Sequence, residues 1–144
     1  MKPLKYPALI KKDSEGYYIV TFPDWPNVNT FGHSLEEAKK MATEALTGAL
    51  ITDFERGFPL PAPSKKLKGR RVVSIEPDIN VSLAVYLRNL RKSKNLSQQG
   101  LADRLDISYQ AYQRLEHPLK CNPTLNTIKK LSNVLGMRFK INLF

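Results

Sequence analysis

Apolar residues recur with two different periods along this chain, and the change of period marks its first elements. Over residues 5–11 and 16–22 Tyr, Ile, Val and Phe are frequent, and the Asp13-Ser14-Glu15-Gly16 cluster between them supplies turn residues. The two stretches therefore read as a β-hairpin. A third short strand is expected at 28–31, set off by a loop at Pro23 and Pro26 that would break any ladder. Then the period lengthens: Leu35, Ala38, Met41, Ala42, Ala45, Leu46, Ala49, Leu50 and Phe54 fall at spacings of three and four. Ser34 is a good N-cap for that helix, Glu37 completes a capping box, and Gly57 ends it. One face of the helix must pack on the hairpin sheet.

Residues 58–71 place Pro59, Pro61 and Pro63 ahead of a run of lysines and arginines, the composition of an exposed, semi-extended connection. Val72–Ile75 can return as a fourth strand, which Pro77 stops. From about Val81 the pattern turns helical, with segments near 82–94, 97–105, 108–116 and 124–135. The ending MRFKINLF alternates as a terminal strand would. The expected class is α+β, with one domain at 1–76 and an all-α domain carrying a short C-terminal strand at 80–144.

Within the second half, LSQQGLADRLDISYQAYQRLE (96–116) has the geometry of a helix-turn-helix. Ser97 caps a helix whose inner face is Leu101, Ala102 and Leu105, and Ala102 is small where two helices must cross closely. Ile107 plugs the turn, and Ser108 caps the next helix. Tyr112 and Leu115 then point inward, leaving Tyr109, Gln110, Gln113 and Arg114 outward. That outward set suits a major groove: Gln can bond adenine bidentately, Arg can bond guanine or phosphate, and Tyr offers a hydroxyl and an apolar ring. Gln98 is expected to point its end of the preceding helix at the DNA backbone.

Charge sharpens this picture. Lys and Arg number 23 against 13 Asp and Glu, a formal charge of +10. Residues 1–68 carry ten basic and eight acidic residues, a balance of +2, whereas 69–144 carry thirteen and five, a balance of +8. A polyanionic partner for the second half follows. Arg70, Arg71, Arg88, Arg91, Lys92, Lys94, Lys120, Lys129 and Lys130 are expected to surround the motif with positive charge. The composition, 42% hydrophobic, is that of a globular protein. No signal-length or membrane-length apolar run is present, and the only cysteine, Cys121, permits neither an internal disulfide nor a thiolate-rich zinc site. The cytoplasm is the expected compartment.

Two resemblances rest on particular residues. The segment 82–136 resembles the Xre/Cro-type helix-turn-helix family: it has the SQ-x-x-LA-x-x-L-x-IS core, and Asn122 through Gly136 matches the NP-x-L-x-T-x-x-x-L-x-x-x-LG tail. The resemblance implies DNA contacts at Gln98, Ser108, Tyr109, Gln110, Gln113 and Arg114. Departures are Gly100, where a helix former is common, Tyr112 in place of an aliphatic core residue, and a longer loop at His117-Pro118-Leu119-Lys120-Cys121. The segment 5–76 resembles the N-terminal domain of HicB-type antitoxins through Gly16-Tyr17-x-Ile19-x-Thr21-Phe22-Pro23-Asp24-Trp25-Pro26, Thr30-Phe31-Gly32-x-Ser34-Leu35-Glu36-Glu37-Ala38 and Glu44-Ala45-Leu46, followed by Pro59-Leu60-Pro61-x-Pro63-Ser64. This second resemblance implies a truncated RNase H-like ββ(β)αβ fold, a HicA-type mRNA-cleaving toxin as partner, and repression of the chain's own operon through the appended domain.

An RNase H-like shape raises the question of a nuclease. Such a site clusters carboxylates around two metal ions, the first usually in mid-strand. Residues 6–10 have none, Asp13 and Glu15 lie in a turn, Asp24 lies in a loop, and Asp53 and Glu55 sit at a helix end. No catalytic, metal or cofactor residues are therefore expected, and the chain is read as no enzyme. His33 and His117 read as loop residues, and Cys121 as an inert thiol, although Lys120 beside it could lower its pKa. Against a basic toxin, Asp13, Glu15 and Asp24 are the expected acidic contacts. Trp25 reads equally as a core anchor or as an exposed hot spot. A homodimer or tetramer is expected, paired through 137–143, through Val72–Ile75, or through both. The competing reading is a transcription factor whose α/β half senses a small molecule.

Overall fold

The first half closes into a four-stranded antiparallel sheet in the computed structural model, which describes residues 4–65, 67 and 69–140. The strands β1 (Tyr6–Lys12), β2 (Tyr18–Phe22), β3 (Trp25–Gly32) and β4 (Val72–Ile75) lie in the order β3-β2-β1-β4. Pro7 sits in a central strand without cost because of the register. At Pro7 only β4 is paired, through Ser74, while pairing with β2 begins at Leu9. Alternation along β1 and β2 buries Tyr6, Ala8, Ile10, Val20 and Phe22. The helix α1 (Leu35–Glu55) packs on β2, β3 and β4 and buries Ala38, Ala42, Leu46 and Leu50, a stripe at steps of four.

The start of α1 is fixed by close approach. A Cβ on Gly32 would lie 2.7 Å from the Ala38 Cα, so only glycine lets the helix meet the end of β3. Ser34 caps the helix as expected, its hydroxyl accepting from the Glu37 backbone N–H at 3.1 Å. The return arm of the capping box is shifted by one residue, since Glu37 accepts from the His33 N–H at 2.5 Å. Arg56 is the C-cap, and Gly57 follows at φ +72°.

Two features of the hairpin region depart from the pattern. β3 begins at Trp25 instead of Val28, because Pro23-Asp24 alone makes the turn and Phe22 pairs with Trp25. Pro26 lies inside the strand, where an edge position leaves its missing N–H without consequence. The proline-rich connection is tied to the sheet: the Tyr6 hydroxyl donates to the Pro61 carbonyl at 2.7 Å, and the Ser64 N–H donates to Asp24 Oδ2 at 2.9 Å.

A second compact unit begins at Asn80, the first ending at Ile79. It contains most of α2 (Ile79–Ser93), then α3 (Gln98–Leu105), α4 (Tyr109–Leu115) and α5 (Leu125–Leu135). Leu83, Ala84, Leu87, Leu101, Ala102, Leu105, Tyr112, Leu115, Cys121, Leu131 and Leu135 form its core. The last three helices each open on a hydroxyl cap, Ser97, Ser108 and Thr124, accepting from the backbone N–H three residues on. Asp106, in the left-handed conformation at φ 55°, turns the chain between α3 and α4. The strand expected at 137–144 is absent from Met137–Lys140, which run without regular structure; residues 141–144 lie outside the described residues. Met137 and Phe139 nevertheless pack against the core. Among the described residues no helix is long and apolar enough to cross a membrane.

Candidate functional site

The face of the helical unit is set by two helices capped at Ser97 and Ser108. Leu101, Ala102, Leu105, Tyr112 and Leu115 are buried between them, so the other side of α4 is turned outward. Ser108, Tyr109, Gln110, Gln113 and Arg114 are all exposed on it. Ser108 also works as a cap, accepting from the Ala111 N–H at 3.1 Å. Gly100 does not interrupt α3: its N–H donates to the Ser97 hydroxyl at 2.9 Å.

Gln98 is placed differently from the expectation. Its half-buried side chain lies over the α4 end of the motif, where Nε2 donates to Glu116 Oε2 at 3.1 Å and Oε1 accepts from the Tyr109 hydroxyl at 3.3 Å. The Tyr109 oxygen in turn accepts from Gln113 Nε2 at 2.9 Å. Beneath this chain sits Glu116, only 1% exposed. Arg91 grips it with two bonds, Nε to Oε1 at 2.6 Å and Nη2 to Oε2 at 3.0 Å, and donates a third from Nη1 to the Leu96 carbonyl at 2.8 Å. The buried Tyr112 hydroxyl adds a bond to Oε1 at 2.5 Å.

Burial alone would raise the Glu116 pKa, but hydrogen bonds from Arg91, Tyr112 and Gln98 outweigh it and hold the carboxyl below its usual range. Burial and the bond to Glu116 push the Tyr112 hydroxyl far up. Arg91 is therefore no free surface cation, which corrects its expected place among the residues around the motif; its side chain is 12% exposed and spent on Glu116. Cys121 fits the reading of an inert thiol: it is buried, and burial pushes its thiol up to about 11, with no lowering from Lys120 beside it.

In the sheet unit the expected toxin-facing acids are structural as well as accessible. Asp13 Oδ1 accepts from the backbone N–H groups of Glu15 and Tyr17 at 2.9 and 2.8 Å, bracing the hairpin turn, while Glu15 is exposed. Asp24 is half-buried and holds the connection at Ser64. Trp25 is a core residue, 6% exposed, with its ring edge-on to Tyr6 at 5.7 Å. It is not the exposed anchor allowed for above. His33 is more than a loop residue, packing beside Tyr17 and Phe31 at 5.0 and 6.2 Å. The sheet face away from α1 carries Leu9, Ile19 and Phe31, with Ile19 directly opposite Phe31, Leu9 opposite Thr21, and Phe31 52% exposed. A cleft of about 630 Å³ there is lined by Leu9, Lys11, Ile19, Thr21 and Arg71 among others. Among the described residues no group of three or more His, Cys, Asp or Glu is placed to hold a metal ion.

The chain thus joins a sheet-and-helix unit to a unit of capped helix-turn-helix geometry. Residues 5–84 match the family described as HicB_like antitoxin of bacterial toxin-antitoxin system, and residues 87–141 match the Helix-turn-helix family. This chain belongs to the HicB-like antitoxin family. It is 29% identical to Antitoxin HicB 1 of Photorhabdus laumondii, over 99% of this chain and 89% of that one, and 30% identical to Antitoxin HicB of Escherichia coli K12, over 93% and 98%. Among solved structures, the HicA3 and HicB3 toxin-antitoxin complex contains a chain 28% identical with a TM-score of 0.43, covering 51% of this chain and 98% of that one.

Proposed function

We propose that this protein neutralises a HicA-type mRNA-cleaving toxin through residues 1–76 and represses its own operon by binding operator DNA through residues 80–144, working in the cytoplasm as a dimer or tetramer. The observation that carries the reading is the joining, in one chain, of an antitoxin family match and a helix-turn-helix whose Gln110, Gln113 and Arg114 stand exposed on one helix. The net charge of +8 over 69–144 suits a phosphate backbone. On the sheet unit, Glu15 with Asp13 and Asp24 offers local acids to a basic RNA-binding face.

Gln110→Ala with Arg114→Ala is expected to abolish operator binding in a gel shift while toxin rescue survives. A folded double variant that also fails to protect cells would refute the division of labour. The cleft on the sheet face favours one second reading, a small-molecule sensor attached to a DNA reader. Purified toxin that neither binds the chain nor is inhibited by it would decide for that alternative.

A further inference from the structure

The hydrogen bonds running outward from Glu116 have only one possible direction. An ionised carboxylate accepts and never donates, so Gln98 must turn its NH₂ toward Glu116 Oε2. Its Oε1 is then left to accept from the Tyr109 hydroxyl. Tyr109 has one proton, and once it is given to Gln98 the phenol oxygen can only accept. Gln113 must therefore present its NH₂ to Tyr109, as it does at 2.9 Å. A free glutamine side chain can exchange its amide oxygen and nitrogen by a half-turn, and here that half-turn would set two acceptors or two donors against each other.

We infer that Tyr109 and Gln98 are positioning residues that lock the Gln113 amide with its oxygen facing outward, so that Gln113 selects adenine and rejects guanine at one operator position. The inference rests on the DNA-binding reading above. In the lock, Gln113 offers the outside one acceptor, Oε1, and one remaining donor, the second N–H. Adenine presents the complementary pair in the major groove, a donor at N6 and an acceptor at N7. Guanine presents two acceptors, O6 and N7. Guanine opposite the locked amide would place O6 against Oε1, and turning the amide to relieve this would break the bond to Tyr109. The sequence offers Tyr109 and Gln98 as DNA contacts in their own right; the geometry gives them instead the task of orienting a neighbour.

The test is selection of binding sites from a pool of randomised DNA duplexes by the full chain, compared with Gln113→Ala, Tyr109→Phe and Gln98→Ala. Tyr109→Phe removes a single oxygen from an exposed ring, and an unchanged melting temperature verifies that the fold is kept. The wild type is expected to enrich adenine at the position that Gln113→Ala leaves random, with guanine there bound more weakly by about 5- to 100-fold. Tyr109→Phe and Gln98→Ala should still bind, with unchanged preferences elsewhere, but with adenine-over-guanine discrimination at that one position reduced to about 3-fold or less. Retention of full discrimination by Tyr109→Phe, or a wild-type preference for guanine there, overturns the lock and leaves DNA binding intact. A change in Tyr109→Phe confined to a position untouched by Gln113→Ala would mean that Tyr109 reads a base itself, which also overturns it. No sequence enriched by the wild type would refute the DNA-binding reading along with the lock.

Discussion

Removing Arg91 while leaving Glu116 in place should strongly destabilise the helical unit. Arg91→Met keeps most of the side-chain volume but takes away both bonds to a carboxylate that is 1% exposed, leaving it only Tyr112 and Gln98 as donors. Breaking one partner out of a buried pair costs about 3–5 kcal/mol, since the remaining charge stays desolvated. Domains of ordinary stability hold about 5–15 kcal/mol, so a loss of about 4 kcal/mol raises the unfolded fraction roughly 1000-fold. Replacing both partners, Arg91→Met with Glu116→Leu, should cost far less than the two single changes added together, with a coupling of at least about 2 kcal/mol. Urea unfolding read by two probes measures this. Trp25 is the only tryptophan and lies in the sheet unit, so its fluorescence follows that unit, while helical circular dichroism also follows α2 to α5. In Arg91→Met the dichroism should begin to fall at a urea concentration where Trp25 is still native. A single variant within about 0.5 kcal/mol of wild type, or a cycle with additive costs, would refute the reasoning.

Gly32→Ala should destabilise the sheet unit by about 2–3 kcal/mol or more, because its new methyl meets the α1 backbone and not a movable side chain; the Trp25 unfolding midpoint reads the loss. Acid and alkali should each remove a defined contribution. The Glu116 pKa is lowered on folding, so its stabilisation is full above the ordinary carboxylate range and falls as pH drops through the folded value; Glu116→Gln should flatten that acid limb in a pH series of melting temperatures. The Cys121 thiol is raised from 9.0 to about 11, so its contribution is full below pH 9 and is lost as pH rises toward 11; Cys121→Ala should reduce the alkaline slope, and an unchanged slope would refute the assignment. Operator affinity should fall by roughly 10³ between about 50 and 200 mM salt, as expected for several phosphate contacts, and a flat profile in a titration would count against a DNA interface.

The elements were largely legible because their signals are local. Ser34, Ser97 and Ser108 each cap the helix that follows, and the inward set of Leu101, Ala102, Leu105, Tyr112 and Leu115 is visible from spacing alone. What sequence reasoning missed was set by distant partners. Arg91 and Glu116 are 25 residues apart, and nothing in a run of basic residues distinguishes the one arginine that is spent on a buried acid. The sequence pattern puts Gln98 at the start of α3, but the direction of its side chain depends on Glu116 and Tyr109, one on the loop after α4 and the other at its start. Pro23 does lie in the turn, but Pro26 reads as a loop residue only under a rule against proline in strands that lapses at an edge, and edges are known only when the sheet order is known. The alternation of the chain end at Met137 and Phe139 reflects packing on the core. Backbone bonding supports that packing without a strand: Met137 N–H donates to the Ser132 carbonyl at 2.9 Å, and the Ser132 hydroxyl donates back to the Met137 carbonyl.

Pro26 in the edge strand bears on how this protein can be kept in solution at high concentration. An uncovered sheet edge is a template on which foreign strands add. β3 carries a proline one residue in, together with Asn27 and Asn29, both poor strand formers, and the opposite edge, β4, is only four residues long. Neither border of the sheet is a long, flat, uninterrupted row of donors and acceptors. Exchanging Pro26 for valine would add a donor and raise β propensity together, and its price would appear as turbidity in concentrated stocks before any change in the folded core.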